Sequence, residues 1–574
     1  MKKIDLKKLL QFIFGFLSIL ICMMSRNEIS SAYYFIVISF IITIIVLKKY
    51  TLIKNKRINI SSVLLSIYYI ISLSYRSVLN SELCLTSTIG AKVFIFYTTL
   101  PLLILLSSYI NISYLIDNRN KITNNINKEM SFDIKKISLL IITLLSILSF
   151  VGNMSLNSYP DINGVLNWVN HGYWSHWHTI GYEIYMWIFT KPFGLLGVLF
   201  IQGLLFILIN KYIIDIIDER FNNKHILVYL IMNMLFFQPY VFNHLAPKDT
   251  IFSLSVFGLA AAFFDILTSK KITKRNIIYL FIFSILTSIF RHAAIIAVVL
   301  TLIVAVIVYR KNKEFTRIFI SCIVLCIASF SFITYFIGDY ILHAVQNEYY
   351  IKYTTPAYMI GSYMKDDYKF DNINDLEKYL SKEEWKSYYD KYWADTLSRK
   401  WVLEGKEKRM EQYNLGPVFV KTNIRLLLDN PMKYIIKLSH IDSILFEIST
   451  PVDGYDWAPV RNHSIHYEVV NDFSHNNFFH HLTNIIENTT GEIEVIKDIL
   501  WRGGFYQFIY LIYIVISILN KEKKKILFLL PIIIIQLLLY ISLPSQDPRY
   551  VLPMIIIFPL ATILTFIKTN IYRK

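Results

Sequence analysis

The stretch NIIYLFIFSILTSIFRHAAIIAVVLTLIVAVIVY, residues 276–309, decides how the rest of the chain is read. As one helix it would run roughly 50 Å at ~1.5 Å per residue, well beyond the ~30 Å hydrocarbon core of a bilayer. Basic clusters flank it, SKKITKR before and YRKNKEFTR at its end. Dense Lys/Arg in short links marks the cytoplasmic side of a membrane. Both ends therefore belong on one side, and a hairpin turning at Arg291-His292 satisfies that. The turn carries an arginine and a histidine to the outer face.

The whole chain has the same character. Of its 574 residues 55% are hydrophobic, mean hydropathy is +0.46, and apolar runs such as ISLLIITLLSILSF recur. This is the profile of an all-α polytopic membrane protein. The N-terminus, MKKIDLKKLLQFIFGFLSIL, has basic flanks but no small-residue cleavage site, so it reads as an uncleaved first helix. The net charge of +17 sits in short links between apolar segments, which excludes nucleic acid as the partner and names the lipid bilayer instead. Cys22, Cys84, Cys322 and Cys326 form no disulfide framework. Heavy use of Ile, Lys, Asn and Tyr suggests an AT-rich bacterial genome, hence a bacterial cytoplasmic membrane.

The pattern predicts about 14 transmembrane helices, near 8–25, 32–47, 60–78, 91–111, 137–154, 194–215, 226–242, 250–268, 276–290, 293–309, 316–337, 500–519, 525–542 and 551–567. With the N-terminus in the cytoplasm, nearly all dense Lys/Arg clusters fall inside, as does the C-terminus. The expected organisation is a four-helix extension over 1–136, a transmembrane core over 137–337 with its first outer loop at 155–193, an extracytoplasmic region over 338–499, and closing helices over 500–574. Residues 179–190 are expected to form a short helix at the outer interface. NPMKYIIKLSHIDSILFEI, with apolar residues at helical spacing, is expected along the membrane surface.

This topology collects unusual residues on the outer side. The loop YPDINGVLNWVNHGYWSHWHTIGYE, 159–183, contains Asp161, His171, Trp174, His176, Trp177, His178 and Glu183, with no lysine or arginine. Lys248, Asp249, Arg291, His292, Asp547, Arg549 and Tyr550 reach the same face from other links. Convergent polar groups at a bundle's end are the default candidate for a site. Each also has a plain reading. Asp161 after Pro160 can cap a helix, as can Asp249. Lys248 can snorkel, Arg291 can anchor its turn, and Arg549 can pair with Asp547. His176-x-His178 has a spacing that would suit a divalent metal, but paired imidazoles in a Trp-rich loop more often hydrogen-bond. Nothing visible requires a metal or other cofactor.

The stretches YPDINGVLNWVNHGYWSHWHTIGYEIYMWIF, KDTIFSLSVFGLAAAFFDIL, LTSIFRHAAIIAVVLTLI and PRYVLPMIIIFPL resemble the GT-C superfamily of membrane glycosyltransferases, over about 137–337 and 500–567. The resemblance implies a polyprenyl-phosphate-linked sugar donor, with Asp161 at the position of the catalytic base and Arg549 at that of a lipid-phosphate contact. Two departures stand out. His178 is followed by Thr179 where the family has proline, and Asp161 lacks a paired acid. The expected function is transfer of a sugar to a cell-envelope glycan, lipid or protein acceptor, as in polysaccharide biosynthesis, with Glu183 as the rival carboxylate. The Trp rings would stack on sugar, the histidines would bind sugar or phosphate, and Lys248, Arg291, His292, Arg549 and Tyr550 would line the donor side. The alternatives are a polysaccharide repeat-unit polymerase and a transporter or flippase of lipid-linked saccharide. Transporters usually carry polar groups at mid-membrane and inverted repeats, neither of which is evident.

Overall fold

A computed structural model describes residues 133–152, 157–158, 160–221, 223–245, 247–269, 272–346, 349–448, 468–469 and 493–567, with scattered positions in 60–68 and 481–490. The first two expected spans, most of the third, the fourth at 91–111 and the extreme C-terminus lie outside the described residues.

The described chain is helical apart from a two-residue antiparallel pairing of β1 (Asn157–Ser158) with β2 (Glu468–Val469). Its helices, in order, are α1 (Ile134–Gly152), α2 (Pro160–Asn170), α3 (Ile180–Arg220), α4 (Asn223–Leu235), α5 (Gln238–Leu245), α6 (Pro247–Thr268), α7 (Lys274–Phe290), α8 (Ala294–Tyr309) and α9 (Lys313–Ser331). A π-helix over Phe332–Ile341 extends α9. After it come α10 (Thr354–Lys365), α11 (Gly416–Asp429), α12 (Pro431–Phe446), α13 (Glu494–Trp501), α14 (Gly503–Leu519), α15 (Ile526–Ser542) and α16 (Leu552–Phe566). Among the described residues five segments are long and apolar enough to cross a membrane: α1, α3, α6, α9 with its π extension, and α15 with its lead-in. This is consistent with a multi-pass membrane protein.

Helix α6 is the axis of the bundle, with 94% of its apolar window buried. Its sequence explains why. A helix apolar on all sides has no face to give to solvent, and the small residues Ser253, Ser255, Gly258, Ala260, Ala261 and Ala262 are fully buried or nearly so. Small residues let neighbouring helices come close. At Gly258 the Phe283 ring of α7 occupies the space a Cβ would need. Ser253 and Ser255 satisfy their hydroxyls on their own helix, donating to the carbonyls of Asp249 (2.6 Å) and Ile251 (2.8 Å).

The 276–309 stretch is two helices, separated at Arg291–Ala293. Helix α3 contains the 179–190 and 194–215 segments in one run. It is interrupted at Phe193 and at Gly194, whose φ of 59° and ψ of −156° lie outside helical space; glycine alone tolerates such a conformation. The expected helix at 226–242 is instead two, α4 and α5. Pro239 lacks the N–H that a continuing helix would donate, so it opens the second.

A second core lies within 350–441, built from aromatics such as Tyr358, Tyr379, Trp385 and Phe419. Tyrosines suit it because each ring fills volume while its hydroxyl finds a partner: Tyr358 donates to the Lys391 carbonyl and Tyr379 to that of Leu397, both at 2.8 Å. Helix α12 is exposed in its first half, at Met432 and Ile435, and buried in its second. Its Ile441 belongs to this core, while Ile444 and Leu445 belong to the bundle core. A further link is extended backbone: Ala394 N–H donates to Pro544 O (2.8 Å) and Gln546 N–H to Tyr392 O (3.3 Å).

At the far end of α6 from Asp249, Asp265 is fully buried. It accepts from Tyr212 (2.6 Å) and from Arg220, with Arg275 Nε at 3.4 Å. Arg275 also forms a two-pronged pair with Glu219 at 2.6 and 2.7 Å. Removing one partner from a buried ionic group strands the rest. Asp265→Asn is therefore expected to lower unfolding free energy in detergent by about 3 kcal/mol or more. An unchanged denaturation midpoint would show the cluster is not holding α3, α6 and α7 together.

Candidate functional site

The site forms where α6 begins. Asp249 lies in the first turn of α6, where a negative charge meets the positive end of the helix dipole. It is 2% exposed. Arg291, from the α7–α8 turn, reaches its Oδ1 at 3.0 Å. Arg549, from the segment before α16, has Nε at 3.8 Å from Oδ2 and at 3.1 Å from Asp547. Asp547 caps the short turn Pro548–Tyr550, accepting from the Arg549 N–H at 3.0 Å. Both guanidiniums lie against the Tyr550 ring, at 5.1 and 5.2 Å from its centroid, and Arg291 is also 5.4 Å from that of Phe252. Burial pushes the Tyr550 hydroxyl up to about 12, so it stays protonated. The contacts show the plain reading of the two arginines: each anchors its loop through a carboxylate. An arginine has five N–H donors, so one carboxylate does not exhaust it.

Lys248 is half-buried, with Nζ 3.2 Å from His178 Nδ1. His178 is buried and stands edge-on to Tyr182. His176 points elsewhere, its Nε2 2.7 Å from Asp339 on the π-helix. The two imidazoles therefore do not converge on one metal ion, and an ammonium group already occupies the neighbourhood of His178. Among the described residues no three metal-ligating side chains gather.

The loop itself is pinned at several points. Glu183 is fully buried, and its Oε2 accepts the Ser175 N–H at 3.0 Å. His176 N–H donates to Val345 O, and Val345 N–H to Trp174 O, both at 2.9 Å. Thr179 caps α3. Trp174 is buried edge-on against Trp187, whereas Trp177 is 38% exposed. His171 closes α2, its Nδ1 2.7 Å from the Asn167 carbonyl, and lies exposed, apart from the cationic cluster. Asp161 sits in the first turn of α2; its side chain is outside the described residues.

His292 completes the connection, its Nε2 3.1 Å from the His176 carbonyl. Burial first, and the Lys248 charge second, hold its imidazole down at about 4. Asp339 and Asp395 were missed in the sequence. Asp395, from the 350–441 core region, is buried and bonded to Arg399 at 2.6 Å. Burial raises its carboxyl, against the lowering influence of Arg399 and of Arg549.

Comparison of the chain with models of known families, with curated proteins and with solved structures gives no match.

The His292 environment has a pH consequence. Its folded value lies below the ordinary 6.5, so between about pH 6.5 and 4 the unfolded chain binds a proton that the folded chain refuses. Its contribution to stability is complete above this window and is lost as pH falls through it. Thermal unfolding in detergent should show His292→Gln flattening the acid-side loss relative to the parent. Parallel curves would place the acid sensitivity in other groups.

Proposed function

We propose that the chain is a membrane glycosyltransferase. In this reading it moves a sugar from a polyprenyl-phosphate-linked donor to a cell-envelope glycan, lipid or protein acceptor at the outer face. The observation that supports it best is the convergence of Lys248, Arg291, Arg549 and Tyr550, from three separate links, at one end of the bundle. A lipid phosphate at headgroup depth is anionic, and guanidinium and ammonium donors hold it and offset the charge that grows on it as the sugar leaves. Two arginines face two carboxylates here, Asp249 and Asp547, and Lys248 adds an ammonium group beside His178. In this reading the 350–441 region, joined to the Arg549 segment through residues 392–394, presents the acceptor. The resemblance names Asp161 as the group that takes the acceptor's proton.

The donor reading is tested by Lys248→Ala, which removes the ammonium group beside His178. In proteoliposomes supplied with polyprenyl-phosphate-linked hexoses and envelope-extracted acceptors, donor KM should rise about 10- to 100-fold, the worth of one charge-assisted hydrogen bond. Acceptor KM should hold. Arg549→Lys should weaken donor use less than Arg549→Ala, which also strands a carboxylate. Unchanged donor dependence in Lys248→Ala removes the phosphate from this cluster.

Sidedness is a separate requirement. In a cysteine-free background, Asp371→Cys should react with an impermeant thiol reagent added to intact cells. Asn312→Cys should react only after permeabilisation. The reverse result would put the cluster in the cytoplasm and end this reading.

A further inference from the structure

Glycosyl transfer requires a group that takes the acceptor hydroxyl's proton, and the described geometry offers one other than Asp161. His176 is 7% exposed, with Nε2 2.7 Å from Asp339 Oδ1. Gln346 donates to the same oxygen at 3.1 Å. With Nε2–H given to the carboxylate, Nδ1 becomes the accepting nitrogen. No hydrogen bond among the described residues uses Nδ1. The backbone is fixed on both sides: His176 N–H donates to Val345 O at 2.9 Å, and His292 Nε2 lies 3.1 Å from His176 O. Two residues on, His178 meets Lys248. The imidazole is therefore rigidly held in the same segment that contacts the proposed phosphate cations.

Asp339 reaches His176 because the helix changes pitch. Phe332–Ile341 is wound as a π-helix and contains Asp339; at its end the Leu342 N–H bonds back to Ile337 O at 2.8 Å, a five-residue step. A π-turn adds one residue relative to an α-helix, which shifts every later side chain by about 100° around the axis. An uninterrupted α9 would aim Asp339 elsewhere.

We infer that His176, oriented by Asp339, is the catalytic residue that accepts the proton. The inference rests on the glycosyl-transfer reading and moves the base away from Asp161. The acceptor's O–H proton passes to His176 Nδ1 while its oxygen bonds to the sugar's anomeric carbon. The bond from that carbon to the phosphate oxygen breaks, its electron pair stays on the lipid phosphate, and Lys248 meets the new charge. Asp339 is a positioning residue, since it acts only through the imidazole.

The test uses the full-length protein in proteoliposomes with polyprenyl-phosphate-linked hexoses and envelope-extracted acceptors, reading kcat and donor KM separately. His176→Gln should lower kcat by about 10²- to 10⁴-fold with donor KM nearly constant, as for loss of a general base. Asp339→Asn keeps the imidazole in place and should lower kcat less. Asp339→Glu should recover part of that loss, which a merely structural role would not produce. Constant donor KM in His176→Gln and Asp339→Asn shows that both variants fold. The inference is overturned if His176→Gln keeps near-parent kcat, or if Asp161→Asn collapses, alone or together with His176→Gln. Failure of the parent protein to make product with any donor counts against glycosyl transfer itself, not against the choice of base.

Discussion

One carboxylate organises the site. Asp249 is buried at the start of the bundle's axial helix, and the two arginines that neutralise it come from the α7–α8 turn and the segment before α16. A buried charge without partners is strongly unfavourable, whereas a paired one imposes a register. Asp249 thus fixes where two distant loops meet, and Tyr550 comes with them. At the other end of the same helix Asp265 performs the same task with Arg220, Arg275 and Tyr212. The two acids are sixteen residues apart, about 24 Å at ~1.5 Å per residue. The long apolar stretch between them lies inside the protein, so polar fixing is confined to its ends.

The cationic cluster is consequently less charged than its arginines suggest. Arg291 and Arg549 are set against Asp249 and Asp547. The arrangement trades raw attraction for fixed donor directions, which favours recognition of a group with defined geometry over general anion binding. It also explains why Tyr550 and Phe252 flank the guanidiniums: flat cations stack on rings while their edges keep hydrogen-bonding.

Much of this was legible from charge spacing. Basic clusters at 269–275 and 309–317 required a reversal between them, and the break at Arg291–Ala293 lies there. The expected segments 179–190 and 194–215 left a boundary between them, and the interruption of α3 at Phe193 and Gly194 lies there. The sequence also pointed to Lys248, His178, Arg291, His292 and Arg549 as neighbours, because links at one end of a bundle must crowd together. Other features had no local signature. Asp339 lies just past an ordinary apolar helix, and nothing in its spacing announces the π-turn that aims it at His176. Asp395 belongs to the 350–441 region, whose own core depends on contacts far apart in sequence. The loop's tryptophans also differ in a way the sequence does not show: Trp174 packs on Trp187, whereas Trp177 stays exposed.

The extended pairing of residues 392–394 with 544–546 has a mechanical meaning. Arg549 is three residues beyond Gln546, whose side chain is also held by the His440 carbonyl at 2.6 Å. Backbone hydrogen bonds of this kind are each worth only about 1 kcal/mol net, but they act in parallel with the α12 crossing. The aromatic domain is therefore a lever whose short arm ends at an arginine. A force that tilts the domain is delivered to Arg549 before it reaches the helices, so the domain and the charge held in the bundle share one elastic element.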